Sequence, residues 1–259
     1  MDHLHHAVYG WATPAISYLA ACLGALVALR ATRWALLTEG RSRRNWLVFA
    51  SVSLGGGIWT MHFIAMLGFV VSGAQIRYDL PLTLLSLAVA IVVVGVGLFT
   101  VGHSARPLRA LPIGGLATGL GVAAMHYLGM AAVRLPGTIT YDLFTVGASV
   151  GIAVLAATAA LWAALNLRGL GLVVAAAPVM GLAVCAMHYT GMAAVSVAVD
   201  PDRQVTGGVV AVQFVFPLAV GFGTYIFISS LAFAVSPSSL ARPAVLFGPG
   251  PAAPAAARR

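Results

Sequence analysis

Seven stretches of this 259-residue chain stay apolar for long enough to cross a bilayer, and little separates them. A helix needs about 20 such residues to span the hydrocarbon core. The stretches fall at 14–36, 46–71, 80–102, 111–133, 143–165, 171–198 and 209–235. A transmembrane barrel would need segments of about 10 residues that alternate apolar with polar. Runs such as Leu84 to Leu98 do not alternate. Charged residues make up 8% of the chain, against about 25% in a soluble domain. These features predict an all-α, polytopic membrane protein of seven transmembrane helices, packed antiparallel through short connections. Met1-Asp2-His3 offers no basic n-region, so the first stretch reads as a retained span and not a cleaved signal.

All fourteen basic residues are arginine, and their placement sets an orientation. Arg30, Arg33, Arg41, Arg43 and Arg44 flank the first connection, Arg106 and Arg109 the third, and Arg168 the fifth. Arg242, Arg258 and Arg259 follow the last span. The opposite side has only Arg77, Arg134 and Arg203, with Asp2, Asp79, Asp142, Asp200 and Asp202. Positively charged loops stay in the cytoplasm, which predicts an N-terminus outside and a C-terminus in the cytoplasm, as in a multi-pass protein of the plasma (inner) membrane. The formal charge of +8 is thus a topology signal and not a nucleic-acid-binding face. Three regions follow: a short extracytoplasmic N-terminus (1–13), the seven-helix unit (14–235) and a Pro/Ala-rich cytoplasmic tail (236–259) whose composition favours disorder.

One phrase recurs three times inside the apolar runs. It reads Met61-His62-Phe63, Met125-His126-Tyr127 and Met187-His188-Tyr189, each with a second methionine at Met66, Met130 or Met192. Six of the eight methionines and three of the seven histidines belong to it. Residues four apart share a helix face, so each histidine points with its following methionine. Glycines recur six positions ahead of each motif, at Gly55, Gly119 and Gly181, and the unit is a helix pair with the motif in its first helix. The motif helices are the second, fourth and sixth, which run in one direction, with each histidine about eight to ten residues from the outer end by a rise of about 1.5 Å per residue. Three histidines at one depth can gather round a pseudo-threefold axis, and Gly129, Ala131, Gly191 and Ala193 allow the close helix approach this requires. Ionisable side chains within a membrane point to function. Imidazole with thioether is a ligand set for a soft metal, copper above all.

With these motifs, the arginines after the first helix and the outward aspartates, the chain resembles the MHYT family of bacterial integral membrane sensor domains over nearly its whole length. The resemblance implies copper bound near the outer face by His62, His126, His188, Met61, Met125 and Met187, with Met66, Met130 and Met192 suited to the same role. It implies a sensor of oxygen, carbon monoxide, nitric oxide, redox state or copper. The first copy departs from the pattern, with Phe63 for tyrosine and Leu67-Gly68 for the Ala-Ala of the others. Members often carry a cytoplasmic signalling domain; here a Pro/Ala-rich tail follows Phe233, and the expectation is a separate cytoplasmic signalling partner.

Neither paired intramembrane carboxylates nor a Ser-His-Asp pattern is present, so an enzyme is not expected. Two other readings use the same residues, a copper transport or delivery protein and a haem-binding electron-transfer protein. Met1-Asp2-His3, with His5 and His6, forms a second candidate chelator for Cu(II). Cys22 and Cys185 both fall inside apolar runs and indicate no disulfide framework, and Cys185, three residues before His188, reads as a core residue.

Overall fold

A computed structural model describes residues 10–235 apart from 201, 206, 212 and 214. The histidines of the N-terminus and the Pro/Ala-rich tail lie outside the described residues. Seven helices follow in order: α1 (Ala12–Leu36), α2 (Gly40–Leu67), α3 (Leu80–Gly102), α4 (Pro107–Ala131), α5 (Leu143–Asn166), α6 (Leu170–Ala193) and α7 (Val215–Val235). The first six hold 23 to 28 residues each and are apolar enough to cross a membrane. Their large exposed side chains, such as Leu85, Val92, Leu155 and Leu182, form the lipid-facing surface that such helices need.

Helices α1 to α6 close into a ring, because each packs on the next and α6 returns to α1. The motif helices α2, α4 and α6 also touch one another in the middle. Helix α7 lies outside the ring, against α1 and α2. The third motif helix is therefore partnered by α1, although the chain order would pair it with α7.

The recurrent glycines show why these contacts form. A methyl group on Gly55 would stand 2.7 Å from Cα of Ile91 in α3. On Gly119 it would stand 2.7 Å from the backbone nitrogen of Val154 in α5, and on Gly181 it would stand 2.6 Å from Sγ of Cys22 in α1. Each glycine thus marks the crossing of a motif helix over its partner. Backbones come this close only over small residues, which is how helices gain packing energy in a medium where water does not drive them together.

Short strands join the connections at the end where the motif helices finish. Strand β1 (Arg77–Tyr78) pairs antiparallel with β2 (Val133–Arg134) and with β5 (Val209–Val210). Strand β3 (Gly137–Tyr141) pairs with β4 (Val195–Val199) in the register Ile139 to Val197. Each of the three connections is bonded to the other two, which holds the helix ends together. These strands were not expected from the sequence. They also correct the expected spans: 46–71, 111–133 and 171–198 overrun helices that stop at Leu67, Ala131 and Ala193, and 209–235 starts on β5, ahead of a helix that begins at Val215. Valine-rich segments such as 195–199 are as apolar as a helix end, and only a partner strand distinguishes them.

Helices α3 and α5 begin alike. Asp79 accepts a hydrogen bond from the Leu82 N–H at 3.1 Å, and Asp142 from the Thr145 N–H at 2.8 Å. Such caps satisfy backbone donors that a helix start leaves free. Asp79 also meets Arg134 at 2.9 Å. The Arg134 hydrogen bond, aided by the Leu82 N–H, holds the Asp79 carboxyl below its ordinary range. Strands and aspartates occupy one end of the bundle, and Arg41, Arg43, Arg44, Arg106, Arg109 and Arg168 occupy the other.

Candidate metal centre

His62, His126 and His188 meet at the centre of the ring, each five residues before the end of its helix. The expected depth of eight to ten residues is corrected accordingly, because the strands take over where the spans were drawn longer. All three side chains are buried, at 1%, 0% and 1% exposure. Their Nδ1 atoms form a triangle with sides of 3.1 Å (His62 to His188), 3.2 Å (His62 to His126) and 3.3 Å (His126 to His188). The ring planes stand 79° to 86° to one another, like the blades of a propeller.

Hydrogen bonding alone cannot satisfy this triangle. Each neutral imidazole nitrogen is either a donor or an acceptor. Among three mutual neighbours at least two must be of the same kind, so one side always sets lone pair against lone pair or N–H against N–H. A cation held in common removes the conflict, because all three nitrogens then present lone pairs to it. The spacing suits that use: imidazoles bind first-row ions at about 2.0–2.1 Å, and at tetrahedral angles three such nitrogens stand about 3.3–3.4 Å apart. The three residues form the one His/Cys/Asp/Glu cluster of metal-binding geometry among the described residues. This buried triad can hold a metal ion. A haem between any two of the rings would have to enter a gap that the third ring already closes.

The outer edges of two rings are sealed by glycine. Nε2 of His62 lies against Gly129 of α4, and Nε2 of His126 lies against Gly191 of α6, where a methyl group would come within 2.5 Å of it. Both Nε2 atoms are buried without a hydrogen-bond partner. Each ring is thus wedged between a helix backbone outside and its two fellow histidines inside.

All six motif methionines are buried, in different surroundings. Met61 packs with Ala21 and Cys185, in keeping with a core role for Cys185. Met66, Met125, Met130, Met187 and Met192 belong to the main core. Met187 also lines a mostly apolar cavity of about 50 Å³ on the arginine side of the triad, where all six ring helices contribute. Met192 lines a second cavity, of about 210 Å³, beside His188 on the strand side.

A further set of three residues was missed in the sequence. Ser17, Ser86 and Ser149, fully buried on α1, α3 and α5, each donate to the carbonyl three residues back. Ser86 accepts from the Trp59 indole N–H at 3.0 Å. Ser149 accepts from the motif tyrosine Tyr127 at 2.7 Å, and Ser17 faces Tyr189. These contacts tie each motif helix to its partner, again with α1 in the third place. Ser86 and Ser149 lie 24 and 23 residues after their motif histidines; the third lies before its motif, which hid the series. His103 ends α3, exposed and stacked on Phe99 at 5.4 Å.

A family model described as MHYT, bacterial signalling protein N terminal repeat, matches residues 55–114, 119–177 and 181–256, each match opening on a recurrent glycine. The chain is similar to the bifunctional diguanylate cyclase/cyclic di-GMP phosphodiesterase MucR of Pseudomonas aeruginosa, with 42% identity over 72% of this chain and 28% of that protein. It is similar to the cyclic di-GMP phosphodiesterase NbdA of the same organism, with 38% identity over 76% of this chain and 26% of that protein. The signaling protein YkoW of Bacillus subtilis is 29% identical over 73% of this chain and 24% of its own length. The chain thus spans about a quarter of the length of these relatives. No solved structure gives a significant match.

Proposed function

The chain belongs to the MHYT family of bacterial signalling proteins, a multi-pass membrane protein, and from that premise we propose that it is a copper-containing sensor of a diatomic gas, redox state or copper. The observation that carries this reading is the triangle of Nδ1 atoms, which lacks an internal hydrogen-bonding solution. His62, His126 and His188 would hold the ion, with motif thioethers from Met61, Met66, Met125, Met130, Met187 and Met192 as further donors. Bound copper would supply a one-electron couple and a site for small gases.

Charge supports copper over other first-row ions. The cluster contains no carboxylate, so neutral ligands leave the full ionic charge in a buried place. The cost of desolvation grows with the square of charge, about fourfold from a monovalent to a divalent ion of equal size. Cu(I) is the monovalent choice, and it accepts thioether sulfur readily. Delivery or transport is less favoured, since every motif methionine lies within four residues of a triad histidine and the set does not continue across the membrane.

In the orientation given by the arginines, the triad lies toward the outer face, and a change there passes through the ring helices to a cytoplasmic signalling partner. The names of the relatives point to an output that makes or degrades cyclic di-GMP. The cavity lined by Met187 gives a small apolar molecule a place on the arginine side of the triad. Copper(I)-loaded protein exposed to carbon monoxide is expected to show a new infrared band of bound CO that His188→Ala lacks. A loaded wild type that gives no response to CO, NO or oxygen would sink the gas reading.

A further inference from the structure

The threefold relation fails at one place. His62 is sealed by Gly129 and His126 by Gly191, each glycine three residues after the next motif histidine. For His188 the corresponding position is Ala65. A methyl group stands where the other two rings lie against bare backbone, so His188 cannot be sealed in the same manner. Beside it is the cavity of about 210 Å³, lined by Ala65, His188 and Met192 and, nearer the helix ends, by Thr13, Gly68 and Ala193.

The helix ends differ at the same place. In two sectors a backbone hydrogen bond draws the start of one helix onto the end of another, from Asp79 N–H to the Ala132 carbonyl at 2.8 Å and from Asp142 N–H to the Ala194 carbonyl at 2.9 Å. In the third sector Trp11, the residue ahead of α1, provides no side-chain cap, and Thr13 meets Gly68. Among the described residues, the triad is thus closed on two sides and open on the third.

We propose that this cavity is the entrance through which a metal ion reaches the triad, with the Met192 thioether on its wall and His188 the first histidine encountered. The inference rests on the metal reading above. It assigns the three chemically identical ligands different roles: His62 and His126 are fixed by their glycines, and His188 exchanges.

Pseudo-symmetry supplies the control. Ala193 lines the cavity, and Ala131 holds the equivalent place in the second repeat, away from it; both are exposed. Full-length protein in detergent would take Cu(I) from a coloured chelator complex, followed by stopped flow. Ala193→Trp is expected to slow loading by at least about tenfold, as when a path to a buried site is blocked, with unchanged final copper content. Ala131→Trp should load at the wild-type rate. Equal rates in all three chains, or equal slowing in both variants, overturn the entrance while leaving the metal site intact. A wild type that binds no copper overturns both. Deuterium exchange at imidazole Cε1 in the metal-free wild type, read by mass spectrometry, tests the same point without a variant. His188 should exchange faster than His62 and His126, and equal exchange at all three would overturn the proposal.

Discussion

Gly191→Ala should break the triad without altering any ligand. The added methyl would stand 2.5 Å from Nε2 of His126, far inside contact distance. Such a clash is mild when the struck atom ends a free side chain. Here the opposite edge of the same ring faces two nitrogens at 3.2 and 3.3 Å, so the imidazole has nowhere to retreat. Overpacking of this kind costs about 1–3 kcal/mol. A displaced ligand ring should weaken metal binding by at least about tenfold, the lower range for disturbed supporting shells. Gly129→Ala should act in the same way through His62, and Ala65→Gly should not weaken binding. Chelator competition measures all three, and wild-type affinity in Gly191→Ala would show that the rings are not wedged.

The second large effect lies at the helix crossings. Gly119→Ala would press a methyl against Cα and N of Val154. Alanine gains about 1 kcal/mol over glycine in intrinsic helix propensity, but backbone cannot move aside as a side chain can. Helices α4 and α5 must separate, and the crossing should lose about 1–3 kcal/mol net. Gly151 on α5 provides the contrast, because nothing lies within 4 Å of a methyl placed there. Gly151→Ala should be neutral or stabilising by up to about 1 kcal/mol. Thermal unfolding in detergent separates the two variants, and equal melting temperatures would contradict the crossing argument.

The contrast between those glycines shows how far the sequence could be read. Gly55, Gly119 and Gly181 were visible as a series at a fixed offset from the motif, and the structure gives the reason as the three crossings. Gly147 and Gly151 resemble them in composition but meet no neighbour. Helix positions were legible because each span must be apolar over its full length. The convergence of His62, His126 and His188 was legible because one motif recurs on three helices of one direction.

Ring closure was not legible. Chain order pairs α6 with α7, but the partner of α6 is α1, from the other end of the sequence. That same substitution hid the serine series and the open third sector, since both depend on where the start of α1 lies. Strands of two residues, such as Arg77–Tyr78, have no pattern of their own and exist only through their partners. The methionines stand between these cases. Their burial was foreseen, and their service as ligands remains part of the proposal.

Everything functional here depends on whether the three nitrogens share an ion. The decisive measurement is elemental analysis of detergent-purified protein after reconstitution with Cu(I), wild type beside His126→Ala/His188→Ala. About one copper per chain is expected in the wild type, as one cluster of three imidazoles provides, and almost none in the double variant. Equal copper in both, or none in either, would contradict a metal centre at the triad.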